Sequence, residues 1–302
     1  MKPTLLVLAA GMGSRYGSLK QMDQFGPSGE TIIDYSIYDA KQSGFEKVVF
    51  IIRKDMEADF RKNMVAKYEN IMDVHLVFQE LSDIPYGFKV PTDRKKPWGT
   101  THAIWVARQA INEPFAVINA DDFYGRRSYQ ILHDFLKDKS NDSMEYCIIG
   151  YELARTLSDY GSVSRGICQT NDEGYLQSII ERTKIYKTEN GAEYEDENGN
   201  RHPIDGNTPV SMNMMGFMPS VFEYMEKYFI DFLKEQGDDP KAEYLLPTLI
   251  DSIIRNGIAL VRIIQTTENW FGVTYKEDKP IVIEKIRQLV EAGLYPAKLW
   301  DR

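Results

Sequence analysis

Six apolar residues in succession, Leu5-Leu6-Val7-Leu8-Ala9-Ala10, run straight into Gly11-Met12-Gly13-Ser14-Arg15, with Lys20 close behind. A short apolar run of this kind reads as a buried strand. A loop that leaves such a strand and opens a helix aims unpaired backbone N–H groups at whatever sits above the sheet. Glycines let a polyanion approach that backbone closely, and Arg15 and Lys20 add full positive charges. The chemistry implied is triphosphate binding. No Gly-Lys-Ser/Thr follows, so the stretch is not a Walker loop; Gly17 falls one residue late for a dinucleotide fingerprint. Taken alone, two glycines after a strand also fit a plain tight turn.

Further apolar runs recur with helical spacing between them. Thr4–Ala9, Lys47–Ile52, Val74–Gln79 and Phe115–Ala120 read as strands, and Thr31–Ser43, Glu57–Tyr68 and Thr100–Ile111 as helices. This alternation implies an α/β fold: a mostly parallel, Rossmann-like sheet with helices on both faces. Ligands of such sheets bind beyond the carboxyl ends of the strands. After about residue 144 the pattern changes. Glu145–Tyr151, Ser162–Gln169 and Leu176–Lys187 read as strands with short turns, and the polar stretch 188–207 as an exposed hairpin or flap. Val221–Gln236, Glu243–Asn256 and Glu277–Ala292 read as helices. With no linker, repeat or low-complexity tract, the expectation is one domain over 1–302. Its nucleotide-binding half is about 1–143, and its second half, about 144–302, completes a mixed sheet.

Composition removes several classes. A net charge of −9 argues against a nucleic-acid-binding face, which needs a basic stripe. Local cations are enough for a nucleotide. No apolar run reaches the roughly 18 residues of a membrane span, and no signal-peptide pattern precedes the first strand. Cys147 and Cys168 have no metal-ligand spacing and read as small packing hydrophobes. A reducing cytoplasm is the expected compartment, and the sequence leaves an oligomer open.

The string LAAGMGSRYGSLKQ at 8–21 resembles the signature of the sugar-1-phosphate nucleotidyltransferases, the nucleoside-diphosphate-sugar pyrophosphorylases. Two further blocks fit in order: KPWGTTHAI at 96–104 is similar to the family's base-recognition segment, and INADDFYG at 118–125 to its metal-binding strand end. The resemblance implies a fold of the nucleotide-diphospho-sugar transferase type, with the half over about 144–302 as the sugar-binding one. It also implies transfer of a nucleotidyl group from a nucleoside triphosphate to a sugar 1-phosphate, with release of pyrophosphate. In this reading Gly11, Gly13, Arg15 and Lys20 hold the triphosphate, Arg15 and Lys20 in the catalytic roles. Leu8, Ala10 and Gly11 lie against the nucleotide, with Gln79, Pro97, Gly99 and Thr100 around the base edge. LAAG in place of LAGG resembles uridylyl- and cytidylyltransferases, and UTP is favoured.

Asp121 ends an apolar strand and Asp122 follows it. Carboxylates there suit Mg²⁺, a hard cation with oxygen ligands that leaves vertices for phosphate and water. Asp121 is the expected ligand and Asp122 its neighbour or a second ligand, turned toward the following helix. Either aspartate would also serve as a cap for the helix expected near Tyr129. On the sugar side the family's Glu-Lys-Pro is replaced by Glu181-Arg182-Thr183-Lys184, where Glu181 and Lys184 are the candidates, together with Asn213 further on. The late aspartate that often supplies a second ligand is missing from Trp270-Phe271-Gly272-Val273-Thr274. Trp98 reads as a packing residue and His102 as structural. Two rival functions remain: a cytidylyltransferase acting on a non-sugar phosphate such as phosphocholine, and a non-catalytic nucleotide-sugar-binding regulatory protein.

Overall fold

Three of the four early apolar runs flank one another because nothing in them asks for water. The computed structural model describes residues 2–11, 23–189, 191–273, 275 and 277–300. In it β1 (Thr4–Leu8) lies between β2 (Lys47–Ile52) and β4 (Phe115–Asn119), parallel to both, and β3 (Asp73–Phe78) runs parallel on the far side of β2. The side chains of Leu5, Leu6 and Val7 are fully buried there. A strand without a polar face is stable only with neighbours and covering helices.

The second half extends this sheet, as its strand pattern predicts. Strands β6 (Glu145–Glu152), β7 (Val163–Thr170), β8 (Leu176–Thr188), β9 (Gly191–Glu195), β10 (Arg201–Ile204), β11 (Pro209–Phe217) and β12 (Leu260–Gln265) complete it. Among the described residues the order is β10-β9-β8-β7-β11-β4-β1-β2-β3, with β6 also on β11 and β12 on β6. β11 meets β4 antiparallel, so the all-parallel block ends there, and beyond it only β12 on β6 pairs parallel among the described residues. A short β5 (Asp122–Phe123) pairs with β13 (Phe271–Gly272) apart from the main sheet.

The helices include α1 (Ile32–Ser43), α4 (Thr100–Trp105), α5 (Arg126–Leu136), α6 (Val221–Gln236), α7 (Leu246–Arg255) and α8 (Asp278–Glu291). The helix expected over Glu57–Tyr68 is present as α2 (Glu57–Phe60) and α3 (Ala66–Tyr68), joined by a π-helical turn at Arg61–Val65. The helix expected to reach Ile111 tightens to a 3₁₀ turn after Trp105. α7 begins at Leu246, later than expected, because the backbone before it is engaged with the turn that opens α4. The 188–207 stretch is the β9–β10 hairpin at the sheet's edge.

A second apolar cluster lies outside the main core. Phe123 stacks on Phe271 with ring centroids 4.3 Å apart, and Tyr35 and Tyr295 close around them. The cluster clamps β5 to β13 and so fixes the turn carrying the two adjacent aspartates. Both cysteines are free and buried, and burial pushes the Cys168 thiol up to about 12. Neither is set up as a nucleophile. Among the described residues no helix is long and apolar enough to cross a membrane.

Candidate active site

The parallel ladder of β1 and β4 continues past their carboxyl ends: Ala120 N–H donates to the Leu8 carbonyl at 3.1 Å. Ala9 N–H donates to the Ile51 carbonyl at 2.8 Å, which aligns the end of β1 with the end of β2. Ala10 is buried and Gly11 is exposed, with no atom of the described residues beyond its chain neighbours within 4 Å of where a Cβ on Gly11 would stand. Gly13, Arg15 and Lys20 lie outside the described residues.

The base-edge candidates gather at the end of β3. Gln79 N–H donates to the Ile52 carbonyl at 2.9 Å, and its side-chain amide donates to the Gly99 carbonyl at 3.2 Å. The same NH₂ lies 3.1 Å from His102 Nδ1, and His102 Nε2 lies 2.7 Å from the Asp83 carbonyl. A carbonyl only accepts, so Nε2 carries the proton and Nδ1 accepts from Gln79. Burial pushes the His102 pKa down to about 4, which keeps this neutral tautomer. Both Gln79 amide hydrogens are thereby spent, and its Oε1 has no partner among the described residues. His102 is structural, as the sequence suggests, but it also fixes which face Gln79 presents.

Gly99 has φ +106°, and a Cβ there would stand 2.4 Å from the Tyr244 carbonyl oxygen. Thr101 N–H donates to that carbonyl at 3.2 Å, and Thr100 Oγ1 accepts from Leu246 N–H at 2.8 Å. Pro97 is exposed, and its carbonyl accepts from Arg94, whose guanidinium also donates to the Asp239 and Ala242 carbonyls and stacks 3.4 Å from the Trp98 ring. Trp98 is fully buried, a packing residue as expected. The long segment after Gln79 is therefore pinned to the backbone before α7. Gly99→Ala should cost at least roughly 2 kcal/mol, because an alanine meets both the strained φ and the Tyr244 backbone. Thermal or denaturant unfolding would read it, and unchanged stability would mean this turn moves freely.

The aspartate pair stands at the other end of this edge. Asp121 is half-buried in the turn after β4, and Asp122 is buried in β5. Neither caps α5, whose N-cap is Gly125. Asp122 does not turn toward that helix, contrary to expectation. Its Oδ2 accepts from Asn119 Nδ2 at 2.8 Å and from Tyr124 OH at 3.2 Å. Burial, then the neighbouring Asp121 charge, raises the Asp122 pKa well above the usual carboxylate range. Opposite it in β13 stands Gly272, where a Cβ would come 2.8 Å from Asp122 Oδ1. The stretch lacking the late aspartate is thus in place beside the pair, and the Asp122 carboxylate fills the space a side chain there would need.

Tyr124 ties this turn to the second half. Its OH lies 2.9 Å from the Met212 carbonyl, next to Asn213, which sits at φ +60° in a bulge of β11 between Ser211 and Met215. Asparagine tolerates this conformation better than most residues, and bulges of this kind re-aim a side chain. Glu181 on β8 makes no hydrogen bond or ion pair among the described residues; burial raises its pKa, and the Arg165 charge pulls it back. Lys184 does not join it. It sits at φ +55° where β8 slips register against β7, and its Nζ is 2.6 Å from Glu195 on β9. Tyr124 and Asn119 escaped the sequence reading, although both flank the Asp-Asp pair closely. No group of three or more His, Cys, Asp or Glu suited to a metal occurs among the described residues. A Mg²⁺ ion completed by phosphate oxygens and water needs only one or two carboxylates, and the crowded Asp121–Asp122 charges fit that demand.

A family model described as nucleotidyl transferase matches residues 4–273. The chain is 24% identical over 252 residues to a UTP–glucose-1-phosphate uridylyltransferase of Bacillus subtilis strain 168, covering 74% of this chain and 73% of that one. It is 22% identical over 293 residues to a UTP–glucose-1-phosphate uridylyltransferase of Haloferax volcanii, covering 94% and 96%. Among solved structures, a UDP-glucose pyrophosphorylase complexed with UDP-glucose shares the fold with a TM-score of 0.61 at 16% identity, over 95% of this chain and 99% of that one.

Proposed function

This chain belongs to the nucleotidyl transferase family, and from that premise we propose that it joins UTP to a sugar 1-phosphate and releases pyrophosphate. The observation that carries the reading is the hydrogen bond between Ala120 and Leu8, which sets the Asp121–Asp122 turn beside the strand end that feeds the glycine-rich loop. In the reaction a phosphate oxygen of the sugar 1-phosphate forms a bond to the α-phosphorus. The bond from that phosphorus to the oxygen bridging the β-phosphate breaks, and pyrophosphate carries the electron pair away.

Positioning and charge neutralisation do most of the work when two anions must meet. Arg15 would hold the departing pyrophosphate and Lys20 the α-phosphate or the attacking oxygen. Asp121, with Asp122 beside it, would hold Mg²⁺, which when bound offsets negative charge on the phosphates. Glu181 and Asn213 are the candidates for sugar hydroxyls. Lys184, engaged with Glu195, is left out of this set.

Uracil is favoured by the polarity of Gln79. With both amide hydrogens held by Gly99 and His102, Gln79 offers an acceptor alone, which suits the N3–H of uracil. Pyrophosphate release should therefore fall about 10-fold or more when 3-methyl-UTP, which lacks that hydrogen, replaces UTP. Gln79→Met should erase most of the difference. Equal use of UTP and 3-methyl-UTP by the native chain would remove Gln79 from the base site.

A further inference from the structure

Beside the aspartate pair, between the 155–163 segment, β13 and α8, lies a cavity of about 80 Å³ that the proposed reaction does not use. That is room for a small oxyanion or roughly two to three waters. Arg165, Trp270, Gly272 and Lys285 are among the residues that line it. Arg165 sits on β7 at 6% exposure. Its Nε donates to Thr156 Oγ1 at 3.0 Å, one terminal nitrogen to the Ser164 carbonyl at 2.7 Å, and the other to the Thr156 carbonyl. All three acceptors are neutral. A guanidinium has five N–H donors, so one on each terminal nitrogen remains without an acceptor among the described residues. Its charge lies 4.6 Å from the Trp270 ring and has no carboxylate in ion-pair range among the described residues; Asp122 and Glu181 act on it only from a distance. A buried cation in this state is costly unless an anion completes it.

The other charges on the cavity wall sharpen the point. Asp159 is paired with Lys187 at 2.7 Å, and Asp278 accepts from Tyr275 N–H at 2.6 Å and Ser158 Oγ at 3.3 Å. Arg155 is spent on Glu152 and the Thr267 carbonyl. Lys285, 5.2 Å from the Phe271 ring, has no ion pair or hydrogen bond among the described residues. The Asp159 and Asp278 charges act on Lys285 from a distance, and with Arg155 and Asp159 ion-paired, Arg165 and Lys285 against Asp278 leave the wall a net positive balance among the described residues.

We infer that this cavity is a subsite for a small oxyanion, a carboxylate or phosphate group, held by Arg165 and Lys285. Two sources carry that chemistry: a carboxylate on the acceptor sugar, which rests on the proposed reaction, and free inorganic phosphate acting as an effector. Calorimetry with inorganic phosphate, and turnover of glucuronic acid 1-phosphate against glucose 1-phosphate, distinguish them. The native chain, Lys285→Glu on the exposed side of α8, and Arg165→Gln are compared. The inference expects roughly tenfold weaker phosphate binding, or a roughly tenfold loss of preference for the acidic sugar, in Lys285→Glu with its fold intact. Preference for the acidic sugar assigns the site to the acceptor; phosphate binding without it assigns an effector. Phosphate binding abolished by Arg15→Ala but spared by Lys285→Glu, with no preference for the acidic sugar, would overturn the inference. So would the absence of both effects. Failure of pyrophosphate release with every acceptor would sink the proposed reaction alone, since phosphate binding is read without turnover.

Discussion

Replacing Arg15 or Lys20 by alanine is expected to cut turnover roughly 30- to 1,000-fold. The estimate is the loss of one charge-assisted phosphate contact in the transition state, about 2–4 kcal/mol. The fold should survive, since neither position belongs to the apolar runs that build the strands. Circular dichroism and melting would establish that, and steady-state pyrophosphate release would read the effect. An interaction made with the departing pyrophosphate should lower kcat as well as kcat/KM. Near-native activity in both variants would remove the glycine-rich loop from the triphosphate.

Asp121→Asn should reduce Mg²⁺-supported turnover about 100-fold or more, and raise the Mg²⁺ concentration needed for half-maximal rate. Asp122→Asn should do less. The Asp122 Oδ2 already accepts from Asn119 and Tyr124, and an asparagine carbonyl oxygen keeps both bonds. Its buried carboxylate is also the one whose charge is disfavoured, first by burial and then by Asp121. A metal titration of the two variants side by side separates these roles. If Asp122→Asn proved the more damaging change, the ligand assignment would pass to Asp122.

The residues differ in how plainly their roles can be read from the chain. Leu5–Leu8, Val48–Ile52 and Phe115–Ile118 announce themselves, because a strand buried on both faces has no polar position to blur the signal. β12 is missed because Leu260-Val261-Arg262-Ile263-Ile264 hides its alternating burial: the exposed Leu260 is as apolar as the buried Val261, so the short run has no clean period. The candidate site divides the same way. Gly11, Gln79, Gly99 and Asp121 lie at strand ends or turns that local pattern marks. The roles of Tyr124, Arg165 and Gly272 arise from contacts between residues far apart in the chain, such as Gly272 facing Asp122, and no local spacing encodes those. Lys184 shows the limit most sharply: its place in the motif suggests a phosphate, whereas a register slip in β8 delivers its ammonium to Glu195.

The central claim is the transfer itself, and the most direct measurement is product formation in one vessel. Purified chain, UTP, Mg²⁺ and a panel of sugar 1-phosphates would be followed for pyrophosphate and for nucleotide sugar together. The prediction is equimolar release of both products with at least one sugar, abolished by a chelator and restored by Mg²⁺. Tight UTP binding with no pyrophosphate from any acceptor would contradict it, and would point to a nucleotide-binding protein that does not catalyse the transfer.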